Sequence, residues 1–524
     1  MAAAPARKGT VYLVGAGPGD PRLLTQRGLE LLSTADVILH DELIHPVLLR
    51  AARADAEVRH VGKRGSEPAA KQLKQDEIDR MIVAEAQAGR SVVRLKGGDP
   101  FLFGRGSEEC EALARAGVPF EVVPGVTSPL AAAAYAGVSL THRDLASSVT
   151  FVSGTTRHGE AFDFSRLRGL GGTLVVLMGL GRLREIARAL VEQAGRSPET
   201  PALAIQSGTL PWQRSVEGTI VDIAERVEAA KLKTPVLAVI GEVVSLRQTI
   251  RWFDAWPLFG KRVLVGRAEH QAEGTSALLR ARGAEPFELP LIRIQPPATL
   301  EPLARCVTEA STYDLVAFTS ENGVRAFFEA ARAARRDARV FGKARIAAIG
   351  EGTAAALAER GIVADVVPAV FRGEALAAAC IADLETTRGT ARGARVLVPR
   401  ATVAREIFPE TLRAAGAEVD VVFAYETKAI EPERAAELRR AFERGELDVV
   451  LLTSSSMASS LCDALGEGAG AILERALVAS IGPITTKTAE GRGLRVRVTA
   501  GVSTIEGLVE AVERHIESET SRRA

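Results

Sequence analysis

Two glycine turns carry the first chemistry this sequence offers. "VYLVGAGPGD" (11–20) runs from an apolar strand pattern into Gly15-Ala16-Gly17-Pro18-Gly19-Asp20, and "VVRLKGGDP" (92–100) ends in Gly97-Gly98-Asp99-Pro100. Adjacent glycines let backbone approach a ligand closely. A dinucleotide loop needs glycine at its first, third and sixth positions, with the pyrophosphate on the N–H groups that open the next helix. Here the sixth position is Asp20, whose charge opposes phosphate oxygens, and Pro18 removes a donor. The first loop therefore argues against a pyrophosphate, and Asp20 suits a cationic or hydroxyl-bearing ligand at the carboxyl edge of a sheet. A plain strand-to-helix turn is the competing reading.

Groups able to move protons or grip anions gather around these turns. Asp41 ends the strand pattern "DVILHDE", and Lys63 and Arg64 follow another in "HVGKRG". Arg105 to Glu108 open a helix, Thr127 and Ser128 lie on the turn of "VVPGVTS" before an alanine-rich helix, and Arg143 stands in Thr-His-Arg-Asp. The planar fork of arginine matches carboxylates best. A solvated turn for Lys63 and Arg64 and a helix cap for Asp41 remain open beside these roles.

The elements that must position these groups follow an α/β rhythm. Residues 10–250 alternate short apolar runs with amphipathic helix patterns, and the rhythm breaks at "IRWFDAWPLFG", where 251–259 reads as a linker. The rest is duplicated. "RVLVGR" (262–267) recurs as "RVLVPR" (395–400), "YDLVAFTSENGV" (313–324) as "LDVVLLTSSSMA" (447–458), and "IAAIGEGTAAAL" (346–357) as "VASIGPITTKTA" (478–489), with an offset of about 133. So long a period implies two copies of a whole α/β subdomain. Strands ending in Thr-Ser or Ile-Gly gather hydroxyls and N–H groups at sheet edges, and two such edges across a cleft can hold a polyanion; ordinary helix caps are the alternative.

Bulk properties narrow the class. The 524 residues exceed one core, and Lys+Arg 66 against Asp+Glu 65 leaves a net charge of +1, so no global field recruits nucleic acid or an anionic membrane. The four cysteines, Cys110, Cys306, Cys380 and Cys462, form no CxxC, which favours reduced thiols in a cytoplasmic protein and no metal site. No apolar run reaches membrane-spanning length, and 1–9 and 517–524 read as tails.

The ordered set GAGPGD, LHDELI, VGKRG, RLKGGDPFLFGRG, VVPGVTS and THRD, followed by LMGL, resembles the tetrapyrrole methylases, specifically uroporphyrinogen-III C-methyltransferase, over nearly all of 10–250. The resemblance implies a two-subdomain α/β fold with S-adenosylmethionine in the cleft, a homodimer through this half, and transfer of two methyl groups to uroporphyrinogen III to give precorrin-2. It places Pro18, Gly97, Gly98, Asp99, Leu102, Thr127, Ser128, Met178 and Gly208 against the cofactor. Asp41 and Lys63 match its proton acceptor and donor, and Arg105, Glu108 and Arg143 its substrate contacts, with Arg105 and Asp41 both open as the group that removes the proton. Leu102 stands where the family has isoleucine.

Residues 260–516 resemble uroporphyrinogen-III synthase through AFTSENGVRAFF, IAAIGEGTAAAL, VLVPR, VVFAYET and VASIGPITTKTA. That implies two α/β lobes joined by a two-stranded connection, about 260–293 with 427–516 and 296–424. It also implies cofactor-free closure of hydroxymethylbilane with loss of water and inversion of the last ring. Tyr425 matches the phenol that assists the departing hydroxyl; a packed strand tyrosine is the other reading. Thr319, Ser320, Thr353, Thr453, Ser454 and Thr486 are the expected carboxylate binders, with Arg267 and Arg400 as further candidates. The whole then makes uroporphyrinogen III and methylates it. A methylase of a later corrin intermediate, and a second half that only binds tetrapyrroles, are the competing readings.

Overall fold

The computed structural model describes residues 5–62, 74–155, 162–267, 269–370, 372–404 and 406–523. Among these residues the strands form four five-stranded sheets in two compact units: 1–261 with 279–285 and 516–524, and 262–278 with 286–515.

In the first unit β1 (Val11–Gly15), β2 (Val37–His40), β3 (Glu57–His60), β4 (Val92–Lys96) and β5 (Phe120–Val123) make a parallel sheet of order β3-β2-β4-β1-β5. β1 reads VYLVG with every residue buried, because a central parallel strand is covered on both faces. Val11 and Leu13 join one core and Tyr12 and Val14 the other. Parallel strands deliver all their carboxyl ends to one edge, which brings the loops after Gly15, His40, Lys96 and Val123 together. A second sheet holds β6 (Val149–Ser153), β7 (Thr173–Leu177), β8 (Pro201–Gln206), β9 (Arg214–Thr219) and β10 (Val236–Ile240) in the order β6-β7-β10-β8-β9; only β6 and β7 are parallel.

Residues 251–259, expected as a linker, are folded into this unit. Phe253 is 1% exposed and meets the Tyr135 ring edge-on at 4.8 Å, and the Trp252 indole N–H donates to the Ala134 carbonyl at 2.9 Å. Buried Arg247 bridges Glu217 at 2.7 Å and Asp254 at 2.5 Å and donates to the Ala136 carbonyl. Phe253 and Leu258, 1% and 0% exposed, anchor the segment, while Trp252 stays 38% exposed at its rim. The expected tails are also tethered: the Ala6 N–H donates to Thr34 Oγ1 at 3.0 Å, the Arg7 N–H to the Tyr12 hydroxyl at 2.7 Å, and 517–523 continue the helix Ile505–Arg523.

The second unit carries β11 (Arg262–Val265), β12 (Glu285–Glu288), β13 (Ile292–Gln295), β14 (Leu315–Phe318), β15 (Arg345–Ala348), β16 (Arg395–Ala401), β17 (Glu418–Ala429), β18 (Val449–Leu452), β19 (Leu477–Ser480) and β20 (Val498–Thr499). They form sheets of order β12-β11-β18-β19-β20 and β13-β17-β16-β14-β15. The duplicated motifs are exchanged between them. β11, from the first copy, sits beside β18 of the second, with β19 next, while β16 of the second copy sits beside β14 of the first, with β15 next. Each lobe thus repeats the same local order from mixed sources. β13 and β17 pair antiparallel, Ile292 opposite Ala429 and Gln295 opposite Glu426, along the end of β17 that runs on beyond its pairing with β16 at Glu418–Tyr425.

Tryptophan fluorescence reports the first unit alone, since Trp212, Trp252 and Trp256 are the only three tryptophans and all lie there. Phe253→Ala is expected to destabilise that unit by about 3–5 kcal/mol, as loss of a buried phenylalanine does, read as an earlier fluorescence transition in urea. A transition at the wild-type midpoint would return 251–259 to the role of a spacer.

Candidate functional site

Backbone contact brings the three loops together at the edge of the first sheet. The Ala16 N–H donates to the Lys96 carbonyl at 2.8 Å, and Gly17 and Gly98 exchange two backbone hydrogen bonds at 2.7 and 3.2 Å. A β-carbon on Gly15 would stand 2.5 Å from the Gly125 nitrogen, and one on Gly125 would stand 2.2 Å from the Gly98 oxygen. Gly98 is left-handed, φ +68°, which favours glycine. Gly97 faces space: the nearest atom to an added β-carbon is that of Leu43, at 3.6 Å. Asp99 accepts the Phe101 and Leu102 N–H groups on Oδ1 at 2.8 and 3.1 Å and the Gly125 N–H on Oδ2 at 3.1 Å. It so ties the second loop to the third. Thr127 is the extended residue that starts the helix Ser128–Tyr135, and the Ser128 nitrogen would lie 3.6 Å from a β-carbon on Gly98. Pro18 is half-buried between Gly17 and Gly19.

The second sheet reaches this edge through the loop after β8. A β-carbon on Gly208 would stand 2.4 Å from that of Ala132, so the loop lies directly on the alanine face of the helix Ser128–Tyr135. Met178 follows β7, 54% exposed and left-handed at φ +54°. Among the described residues, five of the seven non-glycine residues with positive φ are Phe103, Arg105, Met178, Ser207 and Thr209, all on loops of this unit that follow strands. Each such residue is strained by roughly 1–3 kcal/mol, and such strain clusters at ligand sites. The donors and acceptors here are backbone groups, hydroxyls and a carboxylate beside exposed thioether and glycine surface. That set fits a cation carrying a neutral nucleoside better than a polyphosphate.

Asp20 does not face a ligand, contrary to the expectation for it. It is 5% exposed, takes the Arg22 fork at 3.0 and 2.6 Å, accepts the Arg22 N–H at 2.9 Å and accepts the Tyr135 hydroxyl at 2.9 Å. Its own N–H donates to Thr209 Oγ1 at 2.9 Å. Burial pushes its carboxyl up, but the Arg22 and Tyr135 hydrogen bonds outweigh that and hold it below the ordinary value. Burial, then Asp20, pushes the Tyr135 phenol up. A carboxylate at the sixth loop position here pins the loop internally.

Asp41, 28% exposed, receives Arg94 Nη2 at 2.5 Å. Arg94 and Lys96 lie two residues apart on β4, are 2% and 3% exposed, and share Glu109 Oε1 at 3.3 and 2.9 Å. Reading the sequence by motif passes over Arg94, Lys96 and Glu109, yet a signal exists: alternate charges in VVRLK, a strand that should be apolar throughout. Arg105 and Glu108 pair with each other, each half exposed, at the start of the helix Gly106–Arg115. Arg143 is exposed and makes no ion pair among the described residues. Lys63 and Arg64 lie outside the described residues.

In the second unit Tyr425, 9% exposed, lies where the β16–β17 register shifts after Arg400, and its hydroxyl is 3.0 Å from Ser320 Oγ. Ser320 also caps the helix Glu321–Ala333 by accepting the Gly323 N–H at 3.0 Å, next to Thr319 at the end of β14. Ser454 caps its counterpart by accepting the Met457 N–H at 3.1 Å, and the Thr453 hydroxyl donates to Met457 Sδ at 3.4 Å. Thr486 is engaged by Ser480 at 2.5 Å and Thr499 at 2.8 Å, and Thr353 is 4% exposed. Arg400 is buried and paired with Glu406. Burial pushes the Arg267 guanidinium down, with Glu321 of the other lobe opposing. A cavity of about 340 Å³ at Gly470, Glu474, Arg495 and Arg497 lies at the opposite ends of β19 and β20 and holds none of these residues.

Among the described residues no helix is long and apolar enough to cross a membrane, and no group of His, Cys, Asp and Glu is arranged to hold a metal ion. The four cysteines are buried and unpaired.

The family described as tetrapyrrole (corrin/porphyrin) methylases matches residues 10–224, and that described as uroporphyrinogen-III synthase HemD matches 273–510. The porphyrin biosynthesis protein HemD of Ruminiclostridium josui is 36% identical over 504 residues, 96% of this chain and 97% of that protein. The sirohaem synthase of Azotobacter vinelandii is 50% identical over 254 residues, 48% of this chain; the chain spans 54% of that relative's length. Among solved structures, the uroporphyrin-III C-methyltransferase of Thermus thermophilus, described as complexed with S-adenyl homocysteine, is 44% identical and covers 45% of this chain and 99% of its own, TM-score 0.40. A uroporphyrinogen III synthase of the same organism is 19% identical over 49% of this chain and 99% of its own, TM-score 0.38.

Asp20→Asn is expected to destabilise the first unit by about 1–3 kcal/mol at pH 7, the range for a buried polar group left badly paired. Because the native carboxyl titrates below its ordinary 3.8, the wild type holds this contribution above that pH and loses it as pH falls through the native value. Urea midpoints of wild type and variant should differ at pH 7 and converge in acid; parallel curves would deny Asp20 its ionised pinning role.

Proposed function

The chain belongs to the HemD porphyrin biosynthesis proteins, a tetrapyrrole methylase followed by a uroporphyrinogen-III synthase, and we propose that its units run consecutive steps. The second closes linear hydroxymethylbilane to uroporphyrinogen III with inversion of the last ring; the first adds two methyl groups to that product, giving precorrin-2. The observation that carries the reading is the meeting of the Gly98, Asp99, Gly125 and Thr127 loops, with Gly97 left open, beside a carboxylate, Asp41, held from beneath by Arg94.

In the first unit Pro18, Gly97, Gly98, Asp99, Leu102, Thr127, Ser128, Met178 and Gly208 form the cofactor cradle. S-adenosylmethionine, bound there, supplies the methyl group taken by a pyrrole carbon. The bare Gly97 surface allows close approach, and the Asp99 clamp keeps the loops from relaxing away, so positioning provides much of the acceleration. Asp41 accepts the proton lost from the methylated ring. Arg143, exposed and without a carboxylate partner among the described residues, and Arg105 with Glu108 grip the side-chain carboxylates of the macrocycle. Met178 needs no partner from the first sheet to serve as an apolar wall, being exposed. A homodimer through this unit, working in the cytoplasm, completes the proposal.

In the second unit Tyr425 donates its proton to the departing hydroxyl and Ser320, 3.0 Å away, holds the phenol in place. Thr319, Thr453 and Ser454 at the strand ends, with Arg267, bind substrate carboxylates.

The full chain incubated with hydroxymethylbilane is expected to form the type III isomer, and with S-adenosylmethionine added a product heavier by two methyl groups; type I isomer alone, or no mass gain, overturns the respective half. Tyr425→Phe should slow closure by about tenfold or more and leave methylation of supplied uroporphyrinogen III unchanged. Arg143→Ala should raise the KM for uroporphyrinogen III by about tenfold with S-adenosylhomocysteine affinity, measured by calorimetry, unaltered; an equal KM removes Arg143 from the site.

A further inference from the structure

β4 runs between β2 and β1 in the first sheet, where both faces are covered by protein. Two cations there conflict with the pattern of every neighbouring strand, and such conflicts concentrate where function requires them. Arg94 Nη1 donates to the Leu39 and Leu95 carbonyls at 3.4 and 3.2 Å, Nε to Glu109 Oε1 at 3.3 Å, and Nη2 to Asp41 at 2.5 Å. Lys96 Nζ and the Gln75 amide reach the same Glu109 oxygen at 2.9 and 3.1 Å. Glu109 is fully buried, and its Oε2 has no hydrogen-bond partner among the described residues. Of the four charges only Asp41 emerges, on the loop whose Leu43 is the nearest neighbour of the open Gly97 face. Uncompensated buried ions cost several kcal/mol each, so this set is tolerable only as two cations against two anions.

We propose that Glu109 and Lys96 are positioning residues for methyl transfer: as a balanced pair they fix the Arg94 guanidinium, whose remaining arm presents the Asp41 carboxylate to the substrate. The inference rests on reading the first unit as a uroporphyrinogen-III methylase with Asp41 at its reacting centre. With Glu109 neutralised, two cations face Asp41 alone and draw it inward. Without Lys96, Glu109 competes for Arg94 and loosens Asp41. With both removed, a balanced Arg94–Asp41 pair remains.

The test uses the full chain with Glu109→Gln, Lys96→Met and both together. Each single variant is expected to lower kcat for the first methylation by about tenfold, with S-adenosylhomocysteine affinity within about twofold of wild type, and to show the Asp41 carboxylate displaced in its crystal structure; the joint variant should recover most of the rate. Undiminished kcat in the singles, reduced kcat with Asp41 in its wild-type place, or a joint variant no better than the singles overturns the proposal. Should a single variant fail to fold, the joint variant decides, and a rate below about a tenth of wild type with Asp41 undisplaced overturns it. Wild type that does not methylate uroporphyrinogen III refutes the underlying reading instead.

Discussion

There is no room for a β-carbon at Gly15 or at Gly125, and the methylase unit depends on that fact. With those positions bare, the ends of β1, β4 and β5 converge until backbone touches backbone, and Gly17 and Gly98 close an antiparallel bridge just past the parallel sheet. The convergence is fixed by Asp99 on one side and by Asp20 with Tyr135 on the other. A floor built from main chain in this way is stiff, because displacing any loop breaks hydrogen bonds that water cannot replace at once. Rigid support of this kind lets the neighbouring residues Phe103, Met178, Ser207 and Thr209 hold backbone conformations they would otherwise leave.

Two different solutions to handling charge operate in the two units. In the methylase, ions are taken beneath the site: Arg94, Lys96 and Glu109 are removed from water and compensate one another, so a single carboxylate surfaces with a defined direction. In the synthase unit, the hydroxyls proposed to meet substrate are already engaged in capping or in mutual hydrogen bonds, as Ser320, Ser454 and Thr486 are. Neutral donors that can rotate suit a flexible chain that must curl before it closes, since they accept several carboxylate placements without a large desolvation penalty for any one.

Much of this was legible in the sequence where local chemistry determines the structure. The glycine turns, the strand-end hydroxyls and the order of elements follow from positions whose backbone needs are local. The exchange of the duplicated motifs between sheets is not local: nothing within RVLVGR or RVLVPR says which sheet it joins, and only the chain crossing through β13 and β17 decides it. Asp20 misled because a carboxylate in a loop looks the same whether it faces ligand or pairs with Arg22 two residues on. Residues 251–259 read as a break because aromatic residues stand between two strand signals, whereas Phe253 among them is buried against Tyr135. The charges of β4 are visible as letters, but nothing local in VVRLK tells that they are buried, since their compensation by Glu109 comes from the helix that follows.

The exchanged lobes set a timetable for synthesis on the ribosome. β13 to β17 emerge as one contiguous block that can pair as soon as it is made, but β11, translated earlier, has only β12 beside it until that block has passed, since its other edge pairs with β18, Val263 aligned with Val449. Pairings across such separations are slow, and a nascent apolar strand left waiting invites association with other chains. The stretch Val263-Leu264-Val265 is bracketed by Lys261 and Arg262 on one side and Arg267 on the other. Charges flanking a hydrophobic strand act as gatekeepers against aggregation, and Lys261, Arg262 and Arg267 stand where such charges act.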